Sequence, residues 1–286
     1  MFDLRYHVAS LAAVFIALIL GIVIGVGLSG SGVTKESDLK LARAQRDQAQ
    51  TDAQAYKQQL DQVRKSAGAF SRVYPAVMRD TLVGKRIALV FLGPVDGGIA
   101  NAVDTALTDA GTRPAIRTVS LNIPVDAESL DNALATQGPQ VAKYVGADKL
   151  AALGTELGSE FVKGGDTPLW KALGSQLIGE RLGNARQRAD GVVVVRTAKP
   201  QAGDTARFLR GLYGGLASAG APAVGVEETG ATPSAVSTFE DRGLSSVDDI
   251  EFDTGRAALA LLLAGARPGH YGVRDDADAI LPPTSG

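Results

Sequence analysis

The chain has 286 residues, a formal net charge of −2 and no cysteine. That balance offers no basic field to nucleic acid, and the missing thiols exclude disulfides, thiolate metal sites and cysteine nucleophiles. With two histidines and two methionines, soft-metal ligands are nearly absent as well.

Residues 1–7 read as a short N-terminal tail, and residues 8–28 (VASLAAVFIALILGIVIGVGL) carry no charge. At ~1.5 Å per residue this run reaches ~31 Å, the thickness of a hydrocarbon core, so it predicts a transmembrane helix tethered in a lipid bilayer. Its core is longer than that of a signal peptide and no A-x-A site follows, which predicts an uncleaved anchor. Flanking charge does not decide orientation. Ala9, Ala13, Ala17, Gly21, Gly25 and Ser29 recur at every fourth position. Small residues on one face let two helix backbones approach, so Ala13, Ala17, Gly21 and Gly25 are candidates for self-association in the membrane. Gly25-x-Gly27-x-x-Gly30 has dinucleotide-fingerprint spacing, but no strand–helix–strand unit surrounds it.

Residues 33–74 predict a coiled-coil stalk. Leu39, Ala42, Arg46, Ala49, Ala53, Tyr56, Leu60, Val63, Ala67, Phe70, Tyr74 and Val77 alternate by three and four, and only Arg46 is charged. A 3.5-residue repeat of this length implies a left-handed supercoil, hence a homodimer. Leu39, Tyr56, Leu60, Val63 and Phe70 are its candidate interaction positions. One helix folded back on its own domain is the alternative reading. Pro75 lacks the donor N–H and predicts an end or a kink there.

Residues 80–268 alternate buried-strand and helix patterns. Apolar runs at 85–92, 115–121, 191–197 and 223–227 read as strands. Helical patterns cover 99–110, most of 127–188, 204–219, a short piece near 235, and 254–266. Strands alternating with helices predict an α/β domain with a parallel sheet covered on both faces, Rossmann-like in architecture. Residues 269–286 read as a Gly/Pro-containing tail.

Ligands in such sheets sit at the carboxyl ends of strands, and three acidic or glycine-rich places fall there. The loop Gly93-Pro-Val-Asp96-Gly-Gly98 precedes a helix, but it has neither a Walker lysine nor Rossmann spacing, so it reads as turn chemistry. Glu227-Glu228 reads as a solvated pair at a strand end, and Asp248-Asp249 with Glu251 and Asp253 as an exposed loop. His270, the only histidine outside the N-terminus, reads as structural. No catalytic constellation, cofactor site or metal site emerges, which predicts a non-enzyme.

The opening FDLRYHVASLAAVFIALILGIVIG and the closing SSVDDIEFDTGRAALALLLAGARPGHYGV with ADAILPP resemble the ends of the actinobacterial copper transport protein B (MctB) family. The resemblance implies an envelope protein associated with copper efflux and described as an outer-membrane channel. It also implies relatives that act in cell-wall remodelling, controlling a peptidoglycan hydrolase through the stalk. The residues suit the two descriptions unequally. A lipid-facing barrel needs segments of alternating polarity, whereas these strands are continuous apolar runs between helices. Copper enters only through the family label. The expectation is therefore a single-pass anchored envelope protein, with stalk and head outside the cytoplasm, acting as a scaffold or regulator. Copper transport is the alternative.

Overall fold

A computed structural model describes residues 36–283 except 113, 114 and 185, and the side chains of 36–42, 59–64, 66 and 67 are not among what it describes. The tail 1–7, the span expected at 8–28 and the candidates Ala13, Ala17, Gly21 and Gly25 lie outside the described residues. Among the described residues no helix is long and apolar enough to cross a membrane. The chain divides into two compact units, Met1–Lys65 and Ser66–Gly286.

The helix Glu36–Met78 supplies what is described of the first unit and opens the second. In the first unit every side chain from 43 to 58 is exposed. In the second, Tyr74 and Met78 are buried and Phe70 and Val77 pack against the same apolar layer. Of the end or kink expected at Pro75, the end does not occur: the helix runs on to Met78. The exposed proline forfeits one bond, to the Ser71 carbonyl, and the buried neighbours Tyr74 and Met78 hold the last turn in place.

The second unit is built on a seven-stranded sheet. Its strands are β1 (Ile87–Leu92), β2 (Arg117–Leu121), β3 (Ile178–Gly183), β4 (Gly191–Arg196), β5 (Ala223–Val226), β6 (Ser245–Val247) and β7 (His270–Tyr271). They lie in the order β3-β2-β1-β4-β5-β6-β7. Every neighbouring pair is parallel except β2 and β3. The α/β class holds, but the all-parallel sheet expected from the sequence is corrected to a mixed one.

Successive strand residues face opposite layers, so β1 and β4 feed two cores. Ala88, Val90, Leu92, Val192 and Val194 pack under the helices Ala127–Ala135, Leu150–Lys163 and Gly203–Ser218. Ile87, Leu89, Phe91, Val193 and Val195 pack under the helices Gly97–Asp109 and Asp253–Ala264 and the end of the first helix. Both strands are buried on both faces, which is why they read as unbroken apolar runs.

Three features depart from the sequence reading. Strand β3 lies where a helical pattern was expected; five of its six residues are exposed at the sheet edge, so no core periodicity marks it. Strand β6 is short and carries two serines, which gave no strand signal. Residues 269–286, expected as a tail, supply β7 and a further bridge between Tyr271 and Ala279.

Candidate functional site

The strand order reverses between β1 and β4, the place where open α/β sheets bind ligands. Here the two chain segments that leave β1 and β4 are tied to each other. The Leu92 carbonyl accepts from the amides of Thr197 (3.2 Å) and Ala198 (2.8 Å), and the Thr197 hydroxyl donates to the Pro94 carbonyl at 2.7 Å. A Cβ on Gly93, whose φ is +121°, would sit 2.7 Å from both the Ala198 amide and the Thr197 hydroxyl. The following helix start is also occupied: Asp96 accepts from the amides of Gly98 at 2.8 Å and Ile99 at 3.1 Å. The loop 93–98 is therefore turn and cap, as its sequence suggested.

Glu228 is exposed, as its sequence suggested, but Glu227, Asp248 and Asp249 are not the solvated groups expected. Glu227 is only 5 % exposed; it accepts from the Ser234 hydroxyl (2.6 Å) and the Ala235 amide (2.7 Å) and pairs with Arg274 at 3.0 Å. Glu228 is exposed, and partial burial, with Glu251 and Asp96 nearby, holds its pKa above the usual value. Asp248 and Asp249, expected in an exposed loop, are wholly buried at the end of β6. Asp248 accepts from the amides of Val273 (2.8 Å) and Arg274 (3.2 Å) and meets His270. Asp249 accepts from the Thr254 hydroxyl at 2.6 Å, and burial above all pushes its carboxyl up to about 6.

The remaining carboxylates of that run are spent separately. Glu251 accepts from the Thr229 amide at 3.0 Å, and Asp253 takes the Ser71 hydroxyl at 2.6 Å and the Arg256 guanidinium. They do not converge: among the described residues no three His, Asp or Glu groups are placed to hold a metal ion.

The stalk positions are distributed along the first helix. Tyr56 is 68 % exposed. Leu39, Leu60 and Val63 lie on the same helix, with side chains outside those described. Phe70 is half-buried, edge-on to Tyr74 at 6.4 Å between ring centroids, against the core of its own domain.

Sequence reasoning missed a cationic cavity of about 220 Å³ at the carboxyl end of β4, lined by Arg196, Lys199, Arg210 and Arg242. These residues lie on four separate stretches with no common spacing, so no local motif announces them.

Comparison with known proteins adds the chain's lineage. A family model described as "Copper transport outer membrane protein, MctB" matches residues 1–282. Proteins named "Copper transporter MctB" from Mycobacterium bovis (strain ATCC BAA-935 / AF2122/97) and Mycobacterium tuberculosis (strain ATCC 25618 / H37Rv) are similar to it. Each is 26% identical over 318 residues, covering 98% of this chain and 99% of the relative. The resemblance seen at the two ends of the sequence thus extends through the long helix and the α/β domain, and the chain belongs to the MctB family.

Proposed function

We propose that this chain is a single-pass anchored protein of the cell envelope that works as a non-catalytic scaffold or regulator. In this reading its long helix engages a second copy and, through that dimer, an envelope partner such as a peptidoglycan hydrolase. One observation carries the proposal: from 43 to 58 the helix is exposed all round, although Ala49, Ala53 and Tyr56 occupy seam positions. An isolated helix owes most of its stability to packing of its apolar stripe, so an exposed seam calls for a partner. A thin alanine seam also suits a contact that is remade with different helices.

The test is the full chain in detergent with Leu60→Glu and Val63→Glu together. The unmodified chain is expected as a dimer by light scattering and the double variant as a monomer that no longer co-purifies its envelope partner. A monomeric unmodified chain, or a variant that still dimerises, would overturn the reading.

Copper transport is the second reading, favoured by the full-length match to a family described in those words. Its arms are Cu(I) titration of the purified chain and conductance in planar bilayers. Tight, saturable Cu(I) binding with copper-dependent conductance would replace the scaffold reading.

A further inference from the structure

Strand β4 ends at Arg196, the loop after it carries Lys199, the helix Gly203–Ser218 contributes Arg210, and the turn after the short helix Val236–Glu240 contributes Arg242. All four line one cavity of about 220 Å³, in which the only lining carboxylate is the exposed Asp241. None of the four makes an ion pair among the described residues. Other cations of this domain do find carboxylates, as Arg207 finds Asp204 and Arg86 finds Asp190. Gathering unpaired guanidinium groups around a concave site costs electrostatic repulsion that an anion relieves.

Two further features aim at that anion. Tyr213 is 2 % exposed and lines the cavity, and its hydroxyl makes no hydrogen bond among the described residues. Its ring is fixed edge-on against Phe239, with centroids 5.7 Å apart. Burial pushes the phenol up to about 12 against the opposing pull of Arg196, so at neutral pH it is a donor. Arg196 is itself preset: its guanidinium donates to the Pro233 carbonyl at 2.6 Å.

We propose that this cavity binds a phosphoryl group, carried either by a small organic phosphate or by the headgroup of an anionic lipid. The Arg196, Arg210 and Arg242 guanidinium groups and Lys199 would meet its oxygens, and the Tyr213 hydroxyl would donate to one of them. Three guanidinium groups favour phosphate over a single carboxylate, because planar forks pair with two oxygens each and a monoanion would leave most of the charge uncompensated. Leu92 and Leu209 supply an apolar wall for the organic part. The inference is independent of the scaffold reading, since it concerns neither the long helix nor the dimer.

Titration calorimetry on the full chain in detergent tests it, with glycerol 1-phosphate as the free-phosphate probe and dihexanoyl phosphatidic acid, whose headgroup is likewise a phosphomonoester, as the lipid probe. Dihexanoyl phosphatidylcholine serves as the net-neutral control. Saturable binding of at least one anionic probe is expected, and which probe binds more tightly assigns the source. Lys199→Ala with Arg210→Ala, both at exposed positions, is expected to weaken binding ~30-fold or more, and Tyr213→Phe, which keeps the ring, ~3- to 10-fold. No saturable binding of either anionic probe would overturn the proposal. Equal affinity in the variants, or equal affinity for the neutral control, would do so as well.

Discussion

Nε2 of His270 lies 2.7 Å from Oδ2 of Asp248, and both side chains are sealed from solvent. The pair fastens β7 to the end of β6, because Asp248 also holds the amides of Val273 and Arg274. Burial alone would lower the imidazole's pKa, but the bond and charge of Asp248, with Asp276 and Glu240 beyond it, outweigh burial and raise it. Burial likewise pushes Asp248 up, and its bonds from His270 and the two amides more than offset that, leaving it below the usual carboxylate value.

Linkage then sets the pH dependence. The histidine contribution is complete below about pH 6.5 and is lost as pH rises through its higher folded value. The Asp248 contribution is complete above about pH 4 and is lost as pH falls through its lower folded value. Asp249, raised to about 6, binds a proton more readily folded than unfolded, so it too favours the folded state less as pH climbs from about 4 to 6. The melting temperature is therefore expected to be lower at pH 8.5 than at pH 5.5. His270→Gln should remove most of the decline above pH 6.5, and Asp249→Asn the part below it. An unchanged slope in both variants would contradict this account.

The helices Leu150–Lys163 and Gly203–Ser218 meet through Gly154, Gly158, Gly211 and Gly215. A Cβ on Gly211 would fall 1.9 Å from the Ala151 carbonyl oxygen, and one on Gly215 would fall 2.1 Å from that of Thr155. Backbone cannot yield as a side-chain tip can, so Gly211→Ala is expected to destabilise by ~3 kcal/mol in urea unfolding. Gly214, one residue before Gly215, meets nothing within 4 Å. Gly214→Ala should stabilise by ~0.5–1 kcal/mol through helix propensity alone. The opposite signs of neighbouring, chemically identical substitutions are the test.

These glycines show where sequence reading stops. Gly154 and Gly158 would weaken an isolated helix in the 127–188 region, whereas here they form its contact surface, because the partner glycines lie more than fifty residues further on. Strands β1 and β4 were legible because burial on both faces leaves an uninterrupted apolar run. Strand β3 was not, because an edge strand with exposed Glu180, Arg181 and Leu182 has no pattern to show. The burial of Glu227 and Asp248 was equally hidden: it depends on Arg274 and His270, which reach them only through the sheet. A cationic cavity assembled from positions 196 to 242 is a product of tertiary placement, with no trace in local spacing.

Arg117 opens β2 with its side chain only 3 % exposed. Its guanidinium donates to the carbonyls of Asn184 (3.1 Å), Gln187 (2.6 Å) and Phe161 and lies 5.0 Å over the Phe161 ring. Burial, with a smaller push from Arg181, lowers its pKa to about 10, still far above neutrality. The charge joins β2, the end of the Leu150–Lys163 helix and the turn before β4. Arg117→Met fills the space but removes three donated bonds, one of them to the buried Phe161 carbonyl, so a loss of ~3 kcal/mol is expected. Arg117→Lys should recover less than half of it, because an ammonium cannot reproduce the planar fork. Full recovery by lysine in urea unfolding would show that charge rather than geometry matters here.

Pro75 offers the reverse prediction, a gain. It sits inside the helix Glu36–Met78, exposed on its outer side, and removes the donor that the Ser71 carbonyl would otherwise receive. The turn survives because its other face is fastened: the Tyr74 hydroxyl donates to Asp109 at 2.8 Å, Arg256 lies over the Tyr74 ring, and the Ser71 hydroxyl meets Asp253. An interior proline costs ~3 kcal/mol relative to alanine, and alanine returns ~0.4–1 kcal/mol of that by freeing the unfolded chain. In a last turn already held by packing, Pro75→Ala is expected to net ~1 kcal/mol of stability, read as a higher urea midpoint for the domain. Tyr74→Phe on the same turn should lower the midpoint by a similar amount through the lost bond to Asp109. If Pro75→Ala lowers the midpoint instead, the ring is contributing at this helix end through its fixed backbone angle, and the turn owes its shape to proline rather than to the residues beneath it.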